Sequence, residues 1–101
     1  MSVRWTLNVT VKDFDTGKPI EGCSILVYDF HNDIVENLVT DANGKAKYEV
    51  GAVLSRWKMW AWKTNEYPTG AGIWMTTDGV AGDDVYGTIY LVKPAGGGTE
   101  E

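Results

Sequence analysis

Residues 3–12 alternate without a break. Val3, Trp5, Leu7, Val9 and Val11 fall on one parity, and Arg4, Thr6, Asn8, Thr10 and Lys12 on the other. Successive side chains of an extended chain point to opposite faces, so this run predicts a β-strand with one face buried and one wet. Such a strand needs neighbours to pair its backbone and a second layer to cover its apolar face. No window of helical period competes with it; residues 52–56 could make a single turn at most.

The rest of the chain repeats the theme. Asp15-Thr-Gly-Lys-Pro-Ile20 reads as a turn, because Asp, Gly and Pro each supply turn geometry by a different mechanism. Residues 23–30 are β-branched and aromatic, hence a second strand. His31-Asn32-Asp33 is a polar turn, and residues 34–40 form a third strand. Asp41-Ala-Asn-Gly44 is a hairpin turn whose Asn43 and Gly44 tolerate positive φ. Residues 45–50 alternate again, and strands are expected over 56–63, 73–77 and 85–92. About seven antiparallel strands at this spacing predict an all-β, immunoglobulin-like sandwich. With 101 residues there is material for one ordinary core. The sandwich is expected over 1–93, with 94–101 a flexible, Gly-rich, acidic tail.

Charge and composition exclude several functions. A net charge of −5 argues against a phosphate-binding surface, and so against a nucleic-acid partner. One Cys rules out an internal disulfide framework, and one His rules out a multi-His metal site. The alternating N-terminal run lacks the apolar core of a signal peptide, and no stretch reaches the ~18 apolar residues of a membrane span. Synthesis in the cytoplasm, with no membrane partner, is the expectation.

Residues 9–27, Val-Thr-Val-Lys-Asp-Phe-Asp-Thr-Gly-Lys-Pro-Ile-Glu-Gly-Cys-Ser-Ile-Leu-Val, are followed by Thr40-Asp-Ala-Asn-Gly-Lys-Ala46. The pair resembles the prealbumin-like family of small sandwiches, including the Cna-B repeats of surface adhesins and the regulatory-like domain of carboxypeptidases. The matching motifs are turn chemistry, so the resemblance implies fold more than function. Cys23 stands where the family usually has Ala, which suggests a small buried site.

The family's chemistries do not carry over. Isopeptide-forming members join a buried Lys of the first strand to an Asn or Asp of the last. Here Lys12 has the parity of the polar face, and residues 86–92 hold neither Asn nor Asp. The hydroxyisourate-hydrolysing branch depends on several His and Arg residues and a C-terminal Tyr-Arg-Gly-Ser, which this chain lacks. His31 is expected to be a turn residue, and no nucleophile motif surrounds Ser24 or Ser55. Asp13 with Asp15, and the acidic loop 78–84, could offer oxygens to calcium, but neither follows a calcium-loop spacing, and solvated loops are expected. No metal, no cofactor and no catalytic residue is expected. Asn8-Val-Thr10 matches a glycosylation sequon by letters only.

The aromatic excess remains. Five of the 101 residues are Trp, and three lie in Arg56-Trp-Lys-Met-Trp-Ala-Trp-Lys63. Trp57, Met59 and Ala61 share one parity; Arg56, Lys58, Trp60 and Trp62 share the other. A sandwich strand needs one buried face, so one Trp set must be covered by a loop or a partner, or left exposed. Trp60, Trp62, Tyr67 and Trp74 are the candidate partner- or sugar-binding residues, since Trp and Tyr anchor interfaces and stack on sugar rings. The expected function is a non-enzymatic structural or interaction module that docks on a larger assembly or self-associates. A decoration or accessory protein of a phage virion is its specific form. A carbohydrate-binding or spacer module of a secreted enzyme or adhesin is the alternative, with a calcium-dependent adhesion unit third.

Overall fold

A computed structural model describes residues 5–51, 55–77 and 84–94. Seven strands form two layers: β1 (Trp5–Asp13), β2 (Ser24–Tyr28), β3 (Ile34–Val39), β4 (Lys45–Val50), β5 (Arg56–Lys63), β6 (Tyr67–Thr76) and β7 (Asp84–Leu91). One sheet has the order β4-β1-β7 and the other β3-β2-β5-β6. All pairings are antiparallel except β1 with β7, which runs parallel from Thr6 opposite Asp84 to Asp13 opposite Leu91. That pair departs from the wholly antiparallel expectation for a topological reason. Parallel neighbours need a long connection, and the five intervening strands supply one. No helix among the described residues is long and apolar enough to cross a membrane.

The alternation of β1 survives intact: Trp5, Leu7, Val9, Val11 and Asp13 are buried and the residues between them half-buried. Leu7, Val9 and Val11, with Ile89 and Leu91 of the neighbouring β7, share one continuous core with Ile25 and Val27 of β2, Met59 and Ala61 of β5, and Met75 of β6. Fully burying each such side chain contributes roughly 1.5–3 kcal/mol. Cys23 is a free thiol, fully buried, as its place in a small site requires. Trp57 lies on the inner side of β5 and packs edge-on against Tyr48 at 6.3 Å. The buried Nε1–H groups of Trp5 and Trp57 find no acceptor among the described residues.

Two turns explain the letters of the family-like segment. Thr40 is buried; its hydroxyl donates to Ile20 O at 2.7 Å and accepts from Cys23 N–H at 2.8 Å, pinning the chain before β2 to the end of β3. Asp41 then accepts from the N–H groups of Asn43 and Lys45, which closes the β3–β4 hairpin and holds its carboxyl below the usual range. Gly44 has φ +72°, and a Cβ there would stand 2.6 Å from Val11 O. Only glycine meets both demands.

β6 begins at Tyr67, six residues before the expected start at 73. Pro68, Gly70 and Gly72 disguise it as loop in the sequence. Proline is tolerated because β6 is the edge of its sheet. The glycines are tolerated because Trp60 covers them, as described below. The helical turn considered for 52–56 and the acidic loop 78–84 lie largely outside the described residues, as does all of the tail after Pro94.

Candidate functional site

The pairing registers place every outward residue of the four-stranded sheet. Across β3-β2-β5-β6 one row reads Asn37, Leu26, Trp60, Gly72; the next reads Ile34, Tyr28, Lys58, Trp74. Val39, Ser24 and Trp62 make a third row, and Arg56 sits beside Thr76 at the end of β5. Trp60 and Trp74 are 40% and 54% exposed, and Ile34 and Val39 are more so. Which Trp set is covered therefore has an answer: Trp57 points into the core, and Trp60 and Trp62 point out.

Trp60 is held rather than loose. A Cβ placed on Gly70 would meet its Nε1 at 2.5 Å, and one placed on Gly72 its Cε3 at 2.8 Å. The indole thus lies along the outer side of β6, with its five-membered ring over Gly70 and its six-membered ring over Gly72. One ring face rests on backbone and the other is turned away from the sheet. Bare glycine backbone covered by a cross-strand aromatic is a known way of completing a sheet edge.

The charges on this face have one sign. Lys58 Nζ stands 4.5 Å from the Tyr28 ring centre and 6.0 Å from that of Trp74, and donates to Asn32 Oδ1 at 3.4 Å. The Arg56 guanidinium lies 5.3 Å over Trp74. Neither cation has a carboxylate partner among the described residues; Lys63, at the far end of β5, pairs with Glu66 at 3.3 Å. Cation–π contacts position the two groups without neutralising them.

Tyr67 does not belong to this surface, and the expectation that it would bind a partner is corrected. It pairs with Lys63 on the inward parity of β5 and is buried. Its hydroxyl donates to Asp13 Oδ2 at 2.6 Å, while Asp13 Oδ1 accepts from Asp15 N–H and Thr16 N–H. Those hydrogen bonds, led by that from Tyr67, hold the Asp13 carboxyl below the usual range. Burial and the adjacent carboxylate push the Tyr67 phenol up to about 12. Both oxygens of Asp13 are thus engaged in hydrogen bonds within the fold.

One ligand-like cluster escaped the sequence reading. Oxygens of Asp29 and Asp33 and a ring nitrogen of His31 lie within 4.8 Å of one another. Asp29 Oδ1 already accepts from His31 N–H and Asp33 N–H, Asn32 has φ 67°, and the Phe30 ring stacks 3.9 Å from His31. The arrangement is a turn closed by its own first residue. On the other sheet, Asn8, Thr10, Lys45, Ala46, Lys47 and Tyr86 line a groove of mixed polarity of about 290 Å³.

No protein-family model matches the chain, and no curated protein matches it in sequence. Solved structures do. The Bacillus anthracis TIE protein aligns with a TM-score of 0.76 at 15% identity over 90% of this chain, which spans 17% of that protein. The group B streptococcus pilus 2b backbone protein aligns at 0.69 and 12% identity over 89% of the chain, which spans 41% of that protein. Klebsiella pneumoniae 5-hydroxyisourate hydrolase aligns at 0.65 and 23% identity, covering 89% of this chain and 92% of the enzyme. These likenesses, with seven strands in two sheets, establish the fold as a prealbumin-like β-sandwich.

Proposed function

We propose that this chain is a non-enzymatic interaction module that docks on a larger assembly through the outer face of its four-stranded sheet. The observation that carries the reading is the exposed aromatic surface of Trp60 and Trp74 on one sheet face, with the half-buried Trp62 beside them. Aromatic residues with apolar neighbours and few charges are what distinguish interface cores from ordinary surface. The pilus 2b backbone protein, to which the fold is similar, is by its name a component of such an assembly. For a non-enzymatic role the support is that the single His is an exposed turn residue.

In its specific form the reading makes the chain a decoration or accessory protein of a phage virion. A secreted or cell-surface location is the alternative. The test is co-sedimentation of the purified chain with particles, together with its own sedimentation velocity. Wild type is expected to travel with the particle or to self-associate, and the Trp60→Ala/Trp62→Ala variant to do neither. A variant that docks as well as wild type overturns the reading.

A second reading, that the same face binds a polysaccharide, is favoured by one specific feature. The Trp60 indole is fixed flat on glycine backbone with its far side turned outward. A flat, immobilised ring is suited to stacking against another ring.

A further inference from the structure

The face that carries the aromatics also carries a charge pattern unlike that of the chain. The protein is acidic overall, with 14 Asp and Glu against 9 Lys and Arg. Yet, among the described residues, the outward rows of the four-stranded sheet hold Arg56 and Lys58 and no carboxylate. Both cations are placed by the ring contacts described above, and neither has a carboxylate partner among the described residues. Two such positioned cations beside a stacking platform form charge-assisted hydrogen bonds when an anion arrives.

We propose that this face binds an anionic polysaccharide, one whose repeating sugar bears a carboxylate. The inference rests on the polysaccharide reading above and names its ligand class. A pyranose ring stacks on the outward side of Trp60. Its carboxylate is received by Lys58 and Arg56, which precede Trp60 on the same face of β5, and Trp74 extends the apolar floor along β6. Ser24 and Asn37, on the rows of Trp62 and Trp60, lie within the same face and present polar groups suited to sugar hydroxyls. Nucleic acid is a poorer fit, because two cations cannot neutralise a phosphate backbone in a chain of charge −5. An acidic peptide would use the cations and leave the flat indole without a matching ring.

The experiment titrates the full chain with four probes: polygalacturonate, its fully methyl-esterified form, dextran and poly-L-glutamate. Binding is read by tryptophan fluorescence and by calorimetry. Polygalacturonate is expected to bind, and the ester, which keeps the ring and loses the charge, to bind about tenfold or more weakly. Lys58→Gln and Arg56→Gln are each expected to weaken polygalacturonate about tenfold while leaving the circular dichroism spectrum unchanged. Trp60→Phe, which keeps a ring over the glycines, is expected to retain part of the affinity that Trp60→Ala loses.

Equal binding of ester and acid overturns the charge assignment, and equal binding of poly-L-glutamate overturns the sugar. Should no probe bind while Trp60→Ala/Trp62→Ala still abolishes co-sedimentation, the polysaccharide is overturned and protein docking stands. Should the double variant leave co-sedimentation intact and polygalacturonate still bind at Lys58 and Arg56, the docking reading fails and the ligand assignment stands.

Discussion

The Tyr67 hydroxyl donates a 2.6 Å hydrogen bond to Asp13 Oδ2, joining the first residue of β6 to the last residue of β1. These strands lie in different sheets, so the bond is a clasp between the layers. Its two ends titrate in opposite directions. The folded Asp13 carboxyl sits below its ordinary value of 3.8, so its contribution is complete above that value and is lost as the pH falls below it through the folded value. The folded Tyr67 phenol is raised from 10.0 to about 12, so its contribution is complete below pH 10 and is lost as the pH climbs between those values. The melting temperature is expected to fall at both extremes. Tyr67→Phe should flatten both limbs and lower the plateau, and a Tyr67→Phe profile superimposable on wild type would refute the clasp.

How much of this was legible depends on the range of the interaction. Period-two alternation is local, and it placed β1, β4 and β5 and separated Trp57 from Trp60 and Trp62 by parity alone. The turn at 41–44 was legible for the same reason. Tyr67 was misplaced because its assignment depends on a partner 54 residues away. A signal did exist: Asp13 has the parity of Val9 and Val11, and a carboxylate on a buried parity demands a donor. The start of β6 was hidden because Gly70 and Gly72 read as loop until the side chain that covers them is known, and that side chain belongs to another strand. Parity alone put Arg56 and Lys58 on the face of Trp60 and Trp62, but the placing of Lys58 beside Trp74 needed the β5–β6 register.

Gly44 tests the turn chemistry shared with the family-like segment. Gly44→Ala puts a methyl group 2.6 Å from Val11 O in a backbone conformation of φ +72°. Left-handed strain of this kind costs about 1–3 kcal/mol, and the approach to β1 adds to it. A lowered urea midpoint with unchanged slope is the expected result. Gly17, also at positive φ but with open space around it, is the control: Gly17→Ala should cost less.

Met59 and Trp74 separate core from face. Met59 is fully buried between the sheets, and Met59→Ala should cost about 2–5 kcal/mol by chemical denaturation. Trp74 is larger but more than half exposed, and Trp74→Ala should change stability by only about 0.5 kcal/mol. Docking or sugar binding should respond in the reverse order, with Trp74→Ala damaging it and Met59→Ala sparing it in whatever fraction remains folded. Comparable destabilisation by the two substitutions would mean that Trp74 is part of the core.

A change at Gly72 alters the platform while leaving the chemistry of the indole itself intact. A Cβ at this position meets Trp60 Cε3 at 2.8 Å and Met59 O at 2.9 Å, so Gly72→Ala must lift the ring from β6. Alanine itself is compatible with an extended edge strand, and the substitution reduces the entropy of the unfolded chain, which offsets part of the steric cost. Stability should therefore fall modestly while the environment of one tryptophan changes markedly. Acrylamide quenching of the Trp60 signal, taken as the difference between each protein and its Trp60→Phe counterpart, is expected to rise in Gly72→Ala. Ligand or particle binding should weaken in parallel, because a tilted, mobile ring no longer offers a fixed flat surface. If quenching rises and binding is unaffected, the fixed geometry of Trp60 is irrelevant to recognition, and its exposed apolar area alone accounts for the face.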